Sequence, residues 1–90
     1  MHQVNLSLVE KSLFKIPHYI RLKIHQWAAS VEEIGIEEVR KLPGLHDEPL
    51  KGRLQGLRSV RLNRSYRLIY YLQKGKVIQV IVIEVNKHEY

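Results

Sequence analysis

The chain has 90 residues, a formal net charge of +6 and no cysteine. That length excludes a second domain, and a 44% hydrophobic content excludes a disordered polycation. With no disulfide framework, no apolar run near the roughly 20 residues of a membrane span, and no signal-peptide layout in MHQVNLSLVEKS, one self-sufficient core in a cytoplasmic protein is expected.

Residues 3–9, QVNLSLV, alternate Val4, Leu6 and Leu8 with polar neighbours, which predicts a half-buried strand. Ser12 is placed to cap a short turn ahead of Pro17. Proline suits a helix's first turn and pushes its predecessor out of helical geometry, so a helix is predicted to start there. Ile20, Ile24, Trp27, Val31 and Ile34 then recur at steps of four and three, one apolar stripe on a helix. Gly35 is positioned to end it with a left-handed cap. A second, shorter helix is predicted over IEEVRKL, with acids in its first turn and bases in its last.

HDEPLKG, residues 46–52, has turn chemistry without periodicity and is expected to be an exposed loop. A three-strand meander follows: LRSVRL (57–62), the turn NRS, YRLIYYL (66–72), the turn QKGK and VIQVIVIEV (77–85). Gly75 is expected to supply a positive φ for the last hairpin, and the final strand, almost continuously β-branched, to be central. The class is therefore α+β, a β-α-α-β-β-β order with a mainly antiparallel sheet. The N-terminal strand and the two helices pack on one face of that sheet, leaving the other open.

The charge is unevenly placed. Residues 1–50 carry 6 Lys and Arg against 7 Asp and Glu, whereas residues 51–90 carry 9 against 2. Such asymmetry suits a polyanionic partner, nucleic acid or an acidic protein, although a solvated basic face has the same composition. Alternation turns Val60 and Leu62 toward the helices and Ser59 and Arg61 to the open face. On the next strand it separates Leu68, Tyr70 and Leu72, taken as core, from Arg67, Ile69 and Tyr71. Arg61 and Arg67 are thus expected to converge on the open face, where two like charges on neighbouring strands are tolerated best with an anion between them. Arg64 falls in the turn, and Arg58 belongs by parity at the rim of the core side. Tyr66 or Tyr71 is expected near the cleft.

These segments together, EPLKG, LRSVRLNRSYRLIYYL and VIEVNKHEY, resemble the RelE/ParE superfamily of toxin–antitoxin toxins, and most closely its RelE/HigB/YafQ-like mRNA-cleaving branch. The similarity covers roughly residues 37–90 of the 90. It implies a single RelE-like domain over 1–90 that cleaves mRNA at the ribosome, needs no metal or other cofactor, and is held in check by a cognate antitoxin. Arg67 of YRLIY matches the arginine that stabilises the scissile phosphate, and Arg61 a basic residue one strand earlier. His88 falls where relatives place an arginine or histidine, and Tyr90 resembles a C-terminal aromatic. Lys51, Arg53, Arg58, Arg64, Lys87 and His46 are the expected RNA-contacting rim.

Attack by an RNA 2′-hydroxyl requires a proton acceptor, cations to stabilise charge on phosphorus, and an acid for the leaving oxygen. Arginine's planar fork suits the second task. Histidine, with an ordinary pKa of ~6.5, suits the first or the last, and His88 is assigned as general acid with base as the alternative. His18 and His25 are expected on the surface of the first helix, and no histidine pair has a metal-ligand spacing with a further acid in support. Two other classes compete with an endoribonuclease: a non-enzymatic, gyrase-directed toxin of ParE type, and an inert binding module on the same fold.

Overall fold

A computed structural model describes residues 1–87. Five strands form one sheet: β1 (His2–Asn5), β2 (Glu48–Pro49), β3 (Arg58–Arg61), β4 (Tyr66–Gln73) and β5 (Ile78–Lys87). Their order is β1-β5-β4-β3-β2, with β1 parallel to β5 and every other pair antiparallel. Three helices, α1 (Glu10–Leu13), α2 (His18–Ile34) and α3 (Ile36–Val39), lie between β1 and β2. The predicted α+β class and the meander are present. The N-terminal strand lies within the sheet as β1, however; the sheet has gained β2 as well, and the N-terminal segment an extra helix.

The strand predicted over 3–9 stops at Asn5. The Asn5 Oδ1 accepts hydrogen bonds from the Ser7 backbone N–H at 2.9 Å and the Ser7 hydroxyl at 2.7 Å. A side chain that satisfies a backbone donor two residues on competes with strand pairing, so the chain turns into a 3-10 turn and then α1. The outward N–H of Val4 on β1, the edge strand, is taken by Glu32 Oε2 of α2 at 3.0 Å.

Helix α2 begins after Pro17, whose carbonyl accepts from the N–H groups of Ile20 and Arg21. Ile20, Ile24, Trp27 and Val31 are buried, as the stripe predicts, but Ile34, the last member, is 51% exposed. Gly35 ends the helix at φ 89° and ψ 153°, an extended left-handed conformation and not the helical one expected. A Cβ there would come within 3.1 Å of the His2 ring, so only glycine fits where β1 and α2 meet. The turn at Gly75 is built without a positive φ.

The helices pack on one face of the sheet. Their buried side chains join Val60, Leu62, Leu68, Tyr70, Val80 and Val82 in one core. Trp27 and Tyr70 meet at 5.5 Å between ring centroids, inclined by 52°. In β5, an internal strand between β1 and β4 as expected, Val80, Ile81 and Val82 are all buried, and Glu84 emerges exposed. No described helix is long and apolar enough to cross a membrane.

Candidate functional site

The segment expected to be an exposed loop, HDEPLKG, instead supplies β2. Glu48 pairs with Ser59 and Pro49 with Arg58, and the Leu50 N–H continues the ladder to the Leu57 carbonyl at 2.9 Å. Two residues of strand ending in proline carry almost no periodic signal, which is why pattern reading passes over them. Pairing this segment to β3 sends Asp47 and Glu48 to opposite faces of the sheet.

Asp47 enters the covered face, with a fully buried side chain. It accepts from Arg58 Nε at 2.6 Å through Oδ1 and from the Tyr70 hydroxyl at 2.6 Å through Oδ2. Arg40, just after α3, donates from Nε to the Tyr70 hydroxyl at 3.2 Å. Burial, chiefly, and then the neighbouring Asp47 carboxylate push the Tyr70 phenol up to about 12, against the opposing pull of Arg40. Burial alone would lower Arg58, but its hydrogen bond and charge interaction with Asp47, helped by Tyr70, hold it above its ordinary value. Arg58 is among the RNA contacts expected from the sequence; its guanidinium is instead engaged by a buried carboxylate, which makes it a clamp on the β2 segment.

Glu48 emerges on the open face. Its Oε1 lies 3.7 Å from Arg67 Nη1, and its side chain is 60% exposed against 21% for Arg67. The same Arg67 nitrogen donates to the Ser59 hydroxyl at 3.0 Å. Arg67 lies in a cleft of about 440 Å³ together with Ser59, Ile69, Ile83, Glu84 and Asn86 from β3, β4 and β5. Leu50, Leu54 and Leu57, from the loop after β2, wall its other side. The loop leucines roof the cleft while Lys51 and Arg53, between them, remain exposed at its margin.

The expected pair of arginines is only half realised. Arg61 and Arg67 are direct partners across β3 and β4. Yet Arg61, the last residue of its strand, lines a separate groove of about 370 Å³ with Lys23, Trp27, Leu45 and Leu62. Where a strand gives way to a turn, alternation stops dictating direction, so the two arginines do not share the cleft. Arg64 is exposed in the turn, and Lys87 is exposed at the end of β5. His46 is exposed at φ 44°, immediately before Asp47. Tyr66 packs against the core, and Tyr71 lines a third hollow beside Arg40 and Arg58, so neither stands in the cleft. His88 and Tyr90 lie outside the described residues. The residues that sequence reasoning missed are Asp47, Glu48, Glu84 and Asn86. A faint signal existed for two of them: Asp47 and Glu48 are adjacent acids just ahead of the basic half.

A mixed sheet in this order, with helices on one face and a cleft on the other, defines the RelE-like toxin fold. Comparison with solved structures bears this out. The YoeB/ParE toxin from Agrobacterium tumefaciens is 22% identical over 98% of both chains, with a TM-score of 0.63. A chain of the RelBE2 toxin–antitoxin complex from Mycobacterium tuberculosis is 20% identical over 98% of this chain and 96% of that one, at 0.66. YafQ from E. coli is 12% identical over 97% and 91%, at 0.65. No family model matches the sequence, and no curated protein matches it either. The likeness is therefore one of fold.

Proposed function

We propose that this chain is the toxin of a toxin–antitoxin pair and acts as a metal-independent endoribonuclease on ribosome-bound mRNA in the cytoplasm. The observation that carries the reading is the Glu48–Arg67 pair at the mouth of the open-face cleft, a proton acceptor beside a phosphate-binding cation. Glu48 accepts the proton of the ribose 2′-hydroxyl, and the oxygen attacks the adjacent phosphorus. Arg67, oriented by Ser59, stabilises the negative charge that gathers on the phosphate oxygens. The bond from phosphorus to the 5′-oxygen breaks, leaving a 2′,3′-cyclic phosphate and a 5′-hydroxyl. His88 remains the proposed donor of the proton that the leaving oxygen takes up.

Binding rests on the same half of the chain. Lys51, Arg53, Arg64 and Lys87 are exposed cations on or near the strands that frame the cleft, suited to ribosomal and messenger phosphates. A shallow site of this kind leaves substrate positioning to the ribosome. The RelBE2 structure is a toxin–antitoxin complex, and a YoeB–YefM complex from Staphylococcus aureus is similar over the whole of this chain. Both favour a cognate antitoxin as the protein partner.

The test is a reporter mRNA in a translation extract, read by primer extension. Cuts phased to codons with the wild-type chain and absent with Arg67→Ala support the reading. Intact mRNA together with inhibited DNA supercoiling replaces it with a gyrase-directed toxin, and neither effect leaves only a binding module.

A further inference from the structure

A carboxylate inside an RNA cleft repels the very phosphates that the cleft attracts, so it requires a reason to be there. Glu84 is such a carboxylate. It is one of two acids against nine Lys and Arg in residues 51–90, stands exposed on the open face, and makes no ion pair among the described residues. Its strand neighbours fix its position relative to Arg67. Asn86 pairs with Arg67 across β4 and β5, Glu84 pairs with Ile69, and the register then steps to Tyr70–Val82, leaving Ile83 of β5 as the extra residue. Ile83, next along β5, lines the same cleft as Glu84 and Asn86.

The two polar groups are tied together, Asn86 Nδ2 donating to Glu84 Oε2. That bond takes up one amide N–H and one lone pair of Oε2. Both Glu84 oxygens keep free lone pairs, so the carboxylate that Asn86 holds in place still presents two acceptors side by side and no donor. Around them the cleft is walled by flat-packing aliphatic groups, Leu54, Leu57, Ile69 and Ile83, and its volume of about 440 Å³ lies within the range of small-ligand sites.

Among unpaired RNA bases, one edge matches a pair of acceptors. Guanine carries two adjacent donors, N1–H and N2–H₂, on its Watson–Crick edge. Adenine and cytosine each set a donor next to an acceptor there, and uracil sets one donor between two acceptors. We infer that Glu84 and Asn86 form a guanine-reading subsite, seating the base of single-stranded RNA between the leucine and isoleucine walls while Arg67 holds a neighbouring phosphate. This rests on the cleft being an RNA site and adds its base preference. The carboxylate then serves selection: it receives donors from one base and repels the acceptor edges of the others.

The experiment separates this subsite from catalysis by using RNA that cannot be cut. Trinucleotides with uridine at both ends and a central 2′-deoxynucleotide bearing guanine, adenine, cytosine, uracil or hypoxanthine are titrated into the purified chain and followed by NMR. The guanine ligand is expected to bind about tenfold more tightly than the adenine one, the scale of a bidentate base contact. Hypoxanthine, which lacks the 2-amino group, is expected between them. Glu84→Gln, at an exposed position that leaves the melting temperature unchanged, is expected to bring all five within about twofold. Equal binding of the bases by the wild type, a guanine preference that survives Glu84→Gln, or no binding at all overturns the subsite. Guanine preference without any cleavage of reporter mRNA removes the nuclease reading and leaves the subsite standing; phased cuts with equal binding do the reverse.

Discussion

The two faces of the sheet use the same residue types to opposite ends. On the covered face, Asp47 is fully buried and both its oxygens are occupied, by Arg58 and by the Tyr70 hydroxyl. On the open face, one residue later in the chain, Glu48 reaches Arg67 at 3.7 Å and stays 60% exposed. Both are acid–arginine pairs. In the first the acid is desolvated and both its oxygens are bonded, so breaking it leaves a stranded partner; the second is partly solvated, and under the proposed function a substrate phosphate displaces it. Burial and saturation of partners, more than residue identity, separate a structural ion pair from one left open to a ligand.

Four substitutions probe this contrast, in decreasing order of effect. Arg67→Ala is expected to lower mRNA cleavage by a factor of about 100 or more, the cost of losing a principal charge-stabilising donor, while thermal unfolding hardly moves. A large fall in melting temperature would place Arg67 with the structural pair. Asp47→Ala should show the reverse pattern first: a loss of about 2–4 kcal/mol in chemical denaturation, because Arg58 and Tyr70 are left without their acceptor. An unchanged denaturation midpoint would mean that the β2 segment is held by pairing alone.

Tyr70→Phe is milder, about 1 kcal/mol at neutral pH, and carries a pH signature. The Tyr70 phenol is raised from its ordinary value near 10 to about 12, so the folded state holds this proton more tightly than the unfolded chain does. The corresponding stability is complete below about pH 10 and disappears as pH climbs toward 12. Denaturation midpoints measured across that interval should fall more steeply for the wild type than for Tyr70→Phe; parallel curves would detach the phenol from the network. Ser59→Ala gives the smallest effect. Losing the 3.0 Å bond that steers Arg67 is expected to slow cleavage about fivefold, with stability changed by less than about 1 kcal/mol.

The meander and α2 were legible because their signals are periodic. Leu68, Tyr70 and Leu72 against Arg67, Ile69 and Tyr71, or Ile20 through Val31 at helical spacing, state which side is buried before any coordinate is known. The losses fall where period fails. β1 is shortened by a side chain, Asn5, that competes for the backbone, and β2 is too brief to alternate. Arg61 sits at a strand end, where the partner position is fixed but the direction of the side chain is not. The acids were harder still. In a turn-like segment Asp47 reads as solvated, since no spacing rule announces that a tyrosine hydroxyl 23 positions later and an arginine 11 positions later will close over it. Arg67 alone among the cleft's polar residues was singled out in advance, through its resemblance and its parity together; Glu48 beside it came only from the fold.

The contact between Glu32 and the Val4 amide reaches beyond its local geometry. VIQVIVI, residues 77–83, is the sort of branched, uncharged tract that propagates fibrils when an unpaired rim offers it a template. Here it is enclosed by β1 and β4. One outer rim has an amide filled by a helix carboxylate, and the other is two residues long and ends in proline. A single glutamate on a neighbouring helix thereby helps keep crowded copies from zipping into fibres.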